Sequence, residues 1–144
     1  MKVHCVRWEP VAGIAVPCSH LYYASMQPAE LRVSVTLLGD ARSGSSSVLE
    51  LLFPRVAGLR WAEEFWGSVL WPQSLPRFES AADPQHRTWA FPLCEYVEAD
   101  WLDAHRAFPL GKNFRHFAIV TLGDCLEVMS ELEPSAKWGS SHEA

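Results

Sequence analysis

The chain reads as an α+β domain, mostly β: an antiparallel sheet or sandwich with one short helix and a C-terminal hairpin. Three observations predict this. Leu31-Arg32-Val33-Ser34-Val35-Thr36-Leu37 alternates apolar and polar side chains, with β-branched residues among them, the period of a half-buried strand. Phe114 to Thr121 and Cys125 to Glu131 flank Leu122-Gly123-Asp124, and Gly-Asp supplies turn residues that tolerate positive φ, so this stretch predicts a short hairpin. Helical spacing is clearest over Ala99 to Phe108, where Trp101, His105 and Phe108 share a face with Leu102 beside it.

The remaining elements follow in chain order. Val3 to Trp8 reads as a first strand, and Val11 to Pro17 as a turn and apolar connection. The strand at Leu31 stops at Gly39-Asp40, and a small polar loop over Ala41 to Ser47 leads to a second strand, Val48 to Phe53, closed by Pro54. These two strands predict a hairpin with a long connection. In Val56 to Phe65 the alternation of Leu59, Trp61 and Phe65 is imperfect and Ala62-Glu63-Glu64 favours helix. Gly58 and the preceding strand tip it towards a further strand. Gly67 to Pro92 holds Pro72, Pro76, Pro84 and Pro92 with little periodicity, and reads as loops packed by Trp71, Phe78 and Trp89.

Leu93 to Val97 predicts a short strand leading into the helix. There Asp100 is expected to cap the first turn, Asp103 to add favourable charge near the N-terminus, and Pro109 to end it. So short a helix is marginal alone and must dock on a sheet. In the final hairpin Leu126, Val128 and Ser130 lie on one face, with Cys125, Glu127, Met129 and Glu131 on the other. Pro134 stops the pattern. Residues 1–133 are expected to form one globular domain and 134–144 a flexible tail.

At 144 residues, 49% hydrophobic and 20% charged, the composition suits one domain with a real core and argues against disorder. No apolar run approaches the roughly 18 residues of a membrane span. The N-terminus, Met1-Lys2-Val3-His4-Cys5-Val6-Arg7-Trp8-Glu9, carries charges where a signal peptide needs its apolar stretch, so a cytoplasmic home is expected. Cys5, Cys18, Cys94 and Cys125 sit in or beside apolar stretches without a C-x-x-C pair. They are expected to be buried thiols that act as small hydrophobes.

The net charge is −5, and its placement says more than its size. Residues 1–93 balance eight acids against eight bases, whereas residues 94–144 set nine acids against four bases. A phosphate-binding surface needs the opposite sign, so nucleic acid ranks low as a partner. An acidic face suits a basic protein partner, or keeps the chain soluble as a solvated surface.

Residues that could carry chemistry each have a simpler reading. His4-Cys5 with Cys18 and His20 has the ligand types for zinc, but the spacing fits no closed site, and adjacent His4 and Cys5 point to opposite faces of a strand. No metal and no cofactor is expected. Cys94, Cys125, His105 and His116 supply thiols and imidazoles, but nothing places them together. His105 reads as a packing residue and His116 as a strand residue at a sheet surface. Glu63-Glu64 and the run Glu95, Glu98, Asp100, Asp103 read as solvated charge. Gly39, Gly44 and Gly58 match no phosphate-binding loop. Trp61, Trp66 and Trp71 recur every five residues, which fits neither helix nor strand, so they read as core or interface anchors.

Three segments, Val48 to Val56, Glu98-Ala99-Asp100-Trp101-Leu102 and Phe114 to Val120 with its partner strand, together resemble small uncharacterised bacterial proteins. Some of those are thought to be immunity-type partners of toxins. The resemblance implies a sheet-rich fold and a bacterial setting, and transfers no active-site residue.

The leading expectation is a non-enzymatic interaction protein that meets a basic partner through an acidic surface. Its candidate contacts are Asp100, Asp103, Glu127 and Glu131, through charge-assisted hydrogen bonds. The alternative is a small-molecule-binding module or enzyme with a pocket among the Pro/Trp-rich loops of residues 66–92. A homo-oligomer with exposed tryptophans at its interface is a third reading.

Overall fold

The computed structural model describes residues 4–14, 19–38, 46–63, 91–107, 113–121 and 124–139. They form two antiparallel sheets. The first orders its strands β1 (His4–Arg7), β6 (Leu93–Glu98), β7 (Arg115–Val120), β8 (Asp124–Ser130) and β5 (Val56–Glu63). The second orders β2 (Ser19–Gln27), β3 (Glu30–Leu38), β4 (Ser46–Phe53) and β9 (Ser135–Gly139). One seven-residue helix, α1 (Asp100–Arg106), follows β6. The mostly β class, the short helix and the β7–β8 pairing agree with the sequence reading.

Alternation drives the assembly. Leu31, Val33, Val35 and Leu37 of β3 are buried, and so are Leu49, Leu51 and Phe53 of β4, paired in register as Leu31 with Phe53, Val33 with Leu51 and Val35 with Leu49. Their apolar face meets Leu93, Phe117, Ile119, Leu126 and Val128 of the other sheet, the packing expected of a sandwich. Trp8, Phe53 and Phe117 join the layers, with ring centroids 4.6 Å apart for Trp8–Phe117 and 5.8 Å for Phe53–Phe117. Fully burying each such side chain stabilises the fold by about 1.5–3 kcal/mol.

Several expectations change. Ser135–Gly139, read as part of a flexible tail, is strand β9, which pairs antiparallel with β4 from Val48–Gly139 to Leu52–Ser135. Open hydrogen-bonding groups along β4 make a strand of a segment whose own residues are mostly polar. Ser19–Gln27, where no strand was expected, is β2 on the other side of β3. The two join at Pro28-Ala29, where Ala29 adopts φ 65°, a left-handed conformation costing an L-residue roughly 1–2 kcal/mol. Val56–Glu63, by contrast, is the further strand that Gly58 and the preceding strand suggest, and it pairs with β8. Asp100 does not cap α1: the cap position is Ala99, extended at φ −164° and without a side-chain cap bond. The chain enters the helix directly from a strand, so the buried Ala99 falls where a capping side chain would stand.

Candidate functional site

Strands β7 and β8 are buried on both faces, and the face turned away from the sandwich core carries the unusual chemistry. Side chains in a strand alternate faces. Phe117 and Ile119 therefore point into the core, while His116 and Ala118 point the other way. Leu126 and Val128 are core, while Cys125, Glu127 and Met129 share the outer face. Across the strands one outer row runs Cys5, Tyr96, His116, Met129, Gly58, and the next runs Cys94, Ala118, Glu127, Arg60.

Helix α1 lies against part of this face. Leu102 is fully buried, and the Trp101 ring crosses β5 at Gly58, where a Cβ would come within 2.8 Å of the indole. Glycine in a strand marks such a close approach. The indole stands edge to face with His116, 4.9 Å between centroids at 86°, and His116 stacks on Tyr96 at 4.2 Å and 18°. His105 returns to the same helix, its Nδ1 2.9 Å from the Trp101 carbonyl oxygen. His105 is thus a packing residue as the sequence suggests, whereas His116, expected at a sheet surface, is only 1% exposed.

Glu127 is the centre of the cluster. Its Oε1 accepts from Arg60 Nη2 at 2.8 Å and lies 2.7 Å from His116 Nε2. Burial by itself pushes this carboxyl up, but the hydrogen bonds from His116 and Arg60 and their charge outweigh it and hold the group below its ordinary 4.5. A carboxylate only accepts, so Nε2 carries the proton and donates. The Arg60 guanidinium also lies 4.1 Å from the centroid of the Trp101 ring, a cation–π contact. The Tyr96 hydroxyl and His116 Nδ1 are buried without a hydrogen-bond partner among the described residues. Burial first, then the Glu127 carboxylate, pushes the Tyr96 hydroxyl up.

Cys5, Cys94 and Cys125 are buried thiols, in accord with the sequence reading. Cys18 lies outside the described residues. Burial raises Cys5 from 9.0 to about 11. It raises Cys94 and Cys125 too, with Cys5 adding to Cys94 and the Glu127 charge to Cys125. All three are therefore neutral thiols near pH 7, where nucleophilic attack needs the thiolate. Among the described residues no group of three His, Cys, Asp or Glu side chains could hold a metal ion, and no helix is long and apolar enough to cross a membrane.

The four expected contact residues do not share a surface. Asp100 and Asp103 are exposed on α1. Glu131 is half-buried at the end of β8, 3.9 Å from Arg55. Glu127, expected to face solvent, is 6% exposed and fully engaged by His116 and Arg60. Alternation placed Glu127 correctly opposite Val128, but could not show that both faces of β8 are covered. Arg60, Tyr96, Trp101 and His116 were missed as a cluster, and Gly58 inside a strand was the one local signal of the close approach.

The expected pocket at residues 66–92 lies outside the described residues save for Phe91 and Pro92. On the other sheet, an open groove of about 420 Å³ runs over Arg32, Ser34, Glu50, Leu52, Ser135 and Lys137. Its charges are exposed and turned on near neighbours, Lys137 to Glu50 at 3.5 Å and Arg32 to Glu30 at 3.0 Å. Comparison with family models, curated proteins and solved structures found no match to the chain.

Proposed function

We propose that the protein is a non-enzymatic interaction module that binds a basic protein partner through an acidic surface at the junction of β6 and α1. One observation carries this reading. Among the described acids of the last third, Glu95, Glu127, Glu131 and Glu133 pair with arginines, and Asp124 accepts from Trp61 and Thr121. Glu98, Asp100 and Asp103 are exposed and make no ion pair with a described residue. Three unneutralised carboxylates within six residues form a field that steers and holds cationic groups. Resemblance to toxin-immunity-type proteins gives the reading its specific form, with a basic toxin as partner.

Binding of fluorescently labelled octa-arginine, followed by anisotropy, tests the surface. The wild type is expected to bind and to weaken as salt is added. The combined variant Glu98→Gln/Asp100→Asn/Asp103→Asn should bind about tenfold more weakly or worse, and Glu133→Gln, which removes an acid already paired, should change little. Asp100 and Asp103 favour the helix N-terminus, so the combined variant also loses about 0.3–1 kcal/mol per aspartate, a small drop in melting temperature. Octa-arginine binding that is unchanged in a folded triple variant would overturn the proposal.

A further inference from the structure

Arg60 and Glu127 are unequal partners. The Glu127 side chain is 8% exposed and that of Arg60 is 50% exposed. Glu127 projects from β8, between β7 and β5, and also holds His116, so it cannot leave without dismantling the sheet. Arg60 ends a long stem on β5, the edge strand of its sheet, and its guanidinium is readily hydrated if it swings away. What stays behind is a slot of fixed chemistry. An ionised carboxylate closes one side, and the face of Trp101, seated over Gly58, forms the other. A carboxylate with an aromatic face is the combination that recognises a planar guanidinium, and the slot already holds one in that pose. The exposed Asp100 flanks Trp101 in sequence, adding to the attraction for cations.

We infer that Glu127 and Trp101 form a cation-binding cage whose built-in occupant is Arg60, and that an arginine side chain of a basic partner takes Arg60's place. Its choice of partner rests on the acidic interface proposed above; the cage itself does not. The exchange is non-covalent: one guanidinium leaves the carboxylate for water as another arrives. A resident occupant lowers the apparent affinity for the incoming one by the fraction of molecules in which the slot is open. Glu127, buried as it is, would then serve a basic partner after all, from beneath Arg60.

Chemical rescue tests the cage. Arg60→Ala should melt below the wild type, and low-millimolar guanidinium chloride should raise its melting temperature where sodium chloride at equal ionic strength does not. Arg60→Ala/Glu127→Gln should show no such rescue. The Trp101 indole N–H resonance should shift with guanidinium in Arg60→Ala and stay still in the double variant. Octa-arginine should bind Arg60→Ala about tenfold or more tightly than the wild type. If Arg60→Ala does not fold, Arg60→Lys keeps the charge but lacks the planar fork, and the same guanidinium-specific rise is expected. Absence of a guanidinium-specific effect in a folded variant would overturn the cage, even if octa-arginine still binds the acidic surface. Rescue without octa-arginine binding to the wild type would support the cage and remove the acidic interface instead.

Discussion

The two faces of the β7–β8 pair use one backbone for opposite purposes. On the inner face Phe117, Ile119, Leu126 and Val128 meet the second sheet as a purely apolar layer. On the outer face, one residue along each strand, His116 and Glu127 hydrogen-bond within a setting of thiols and aromatic rings. Inner-face stabilisation scales with apolar area and is insensitive to pH. On the outer face it depends on satisfied charge and hydrogen bonds, so it changes with protonation and tolerates less error in geometry. The difference teaches that the inner face specifies the fold, while the outer face contains the groups able to respond to protonation.

Substitutions on the two faces should separate these contributions. The largest effect is expected from Phe117→Ala, which leaves a cavity between Trp8 and Phe53 and should cost about 3–5 kcal/mol, nearly equally at pH 5 and pH 8 in urea unfolding. A strong pH dependence of that loss would break the contrast. Gly58→Ala should push Trp101 off β5 and cost about 1–3 kcal/mol, read as a lower melting temperature with a shifted Trp101 indole resonance and an intact β-sheet circular dichroism spectrum. An unmoved resonance would mean that the indole is not seated on Gly58.

Glu127→Gln keeps the shape but replaces charge-assisted hydrogen bonds by neutral ones, a loss of about 1 kcal/mol at neutral pH. The folded-state pKa of Glu127 lies below its ordinary 4.5, so the carboxylate stabilises the fold above that value and loses its contribution as pH falls through the folded pKa. The stability gap between wild type and variant should therefore close in acid; a gap constant from neutral pH down through pH 3 would show that Glu127 is not ionised in the fold.

The smallest effect concerns Cys5. Its pKa is raised from 9.0 to about 11, so burial of the neutral thiol contributes fully below pH 9 and is lost as pH rises towards 11. The advantage of wild type over Cys5→Ala, measured by denaturant unfolding, should shrink over that window, and thiol reagents at pH 8 should modify Cys5 far more slowly in the folded protein than in urea.

Legibility differed residue by residue. The β3 strand was legible because Leu31, Val33, Val35 and Leu37 alternate with polar residues over a full strand length. The β7–β8 pairing was legible because two apolar runs are separated by a short break at Leu122-Gly123-Asp124, of which Leu122 and Gly123 lie outside the described residues. β9 was not, although Ala136 and Trp138 alternate with Ser135, Lys137 and Gly139. Five residues after a proline carry too little pattern to outweigh the prior for a tail, and its strand conformation comes from β4. Of the candidate contacts, exposure on the helix was legible for Asp100 and Asp103, because a short amphipathic helix has an outward side. Glu127 was misjudged because an acid on the face opposite Val128 looks solvated until something covers it.

The sequence by itself determined which residues share a face, that the runs ending at Thr121 and starting at Cys125 pair, and that the excess negative charge lies after residue 93. Those properties depend on strand period, turn chemistry and composition, all of them local. Only the tertiary structure decided that both faces of the central strands are buried, that β9 completes the second sheet, and that Glu127 meets Arg60 and His116 under Trp101. Arg60 and Glu127 stand 67 residues apart. Whether a carboxylate becomes a solvated charge or the centre of a buried cage depends on what packs over it from that distance, and no local pattern encodes that.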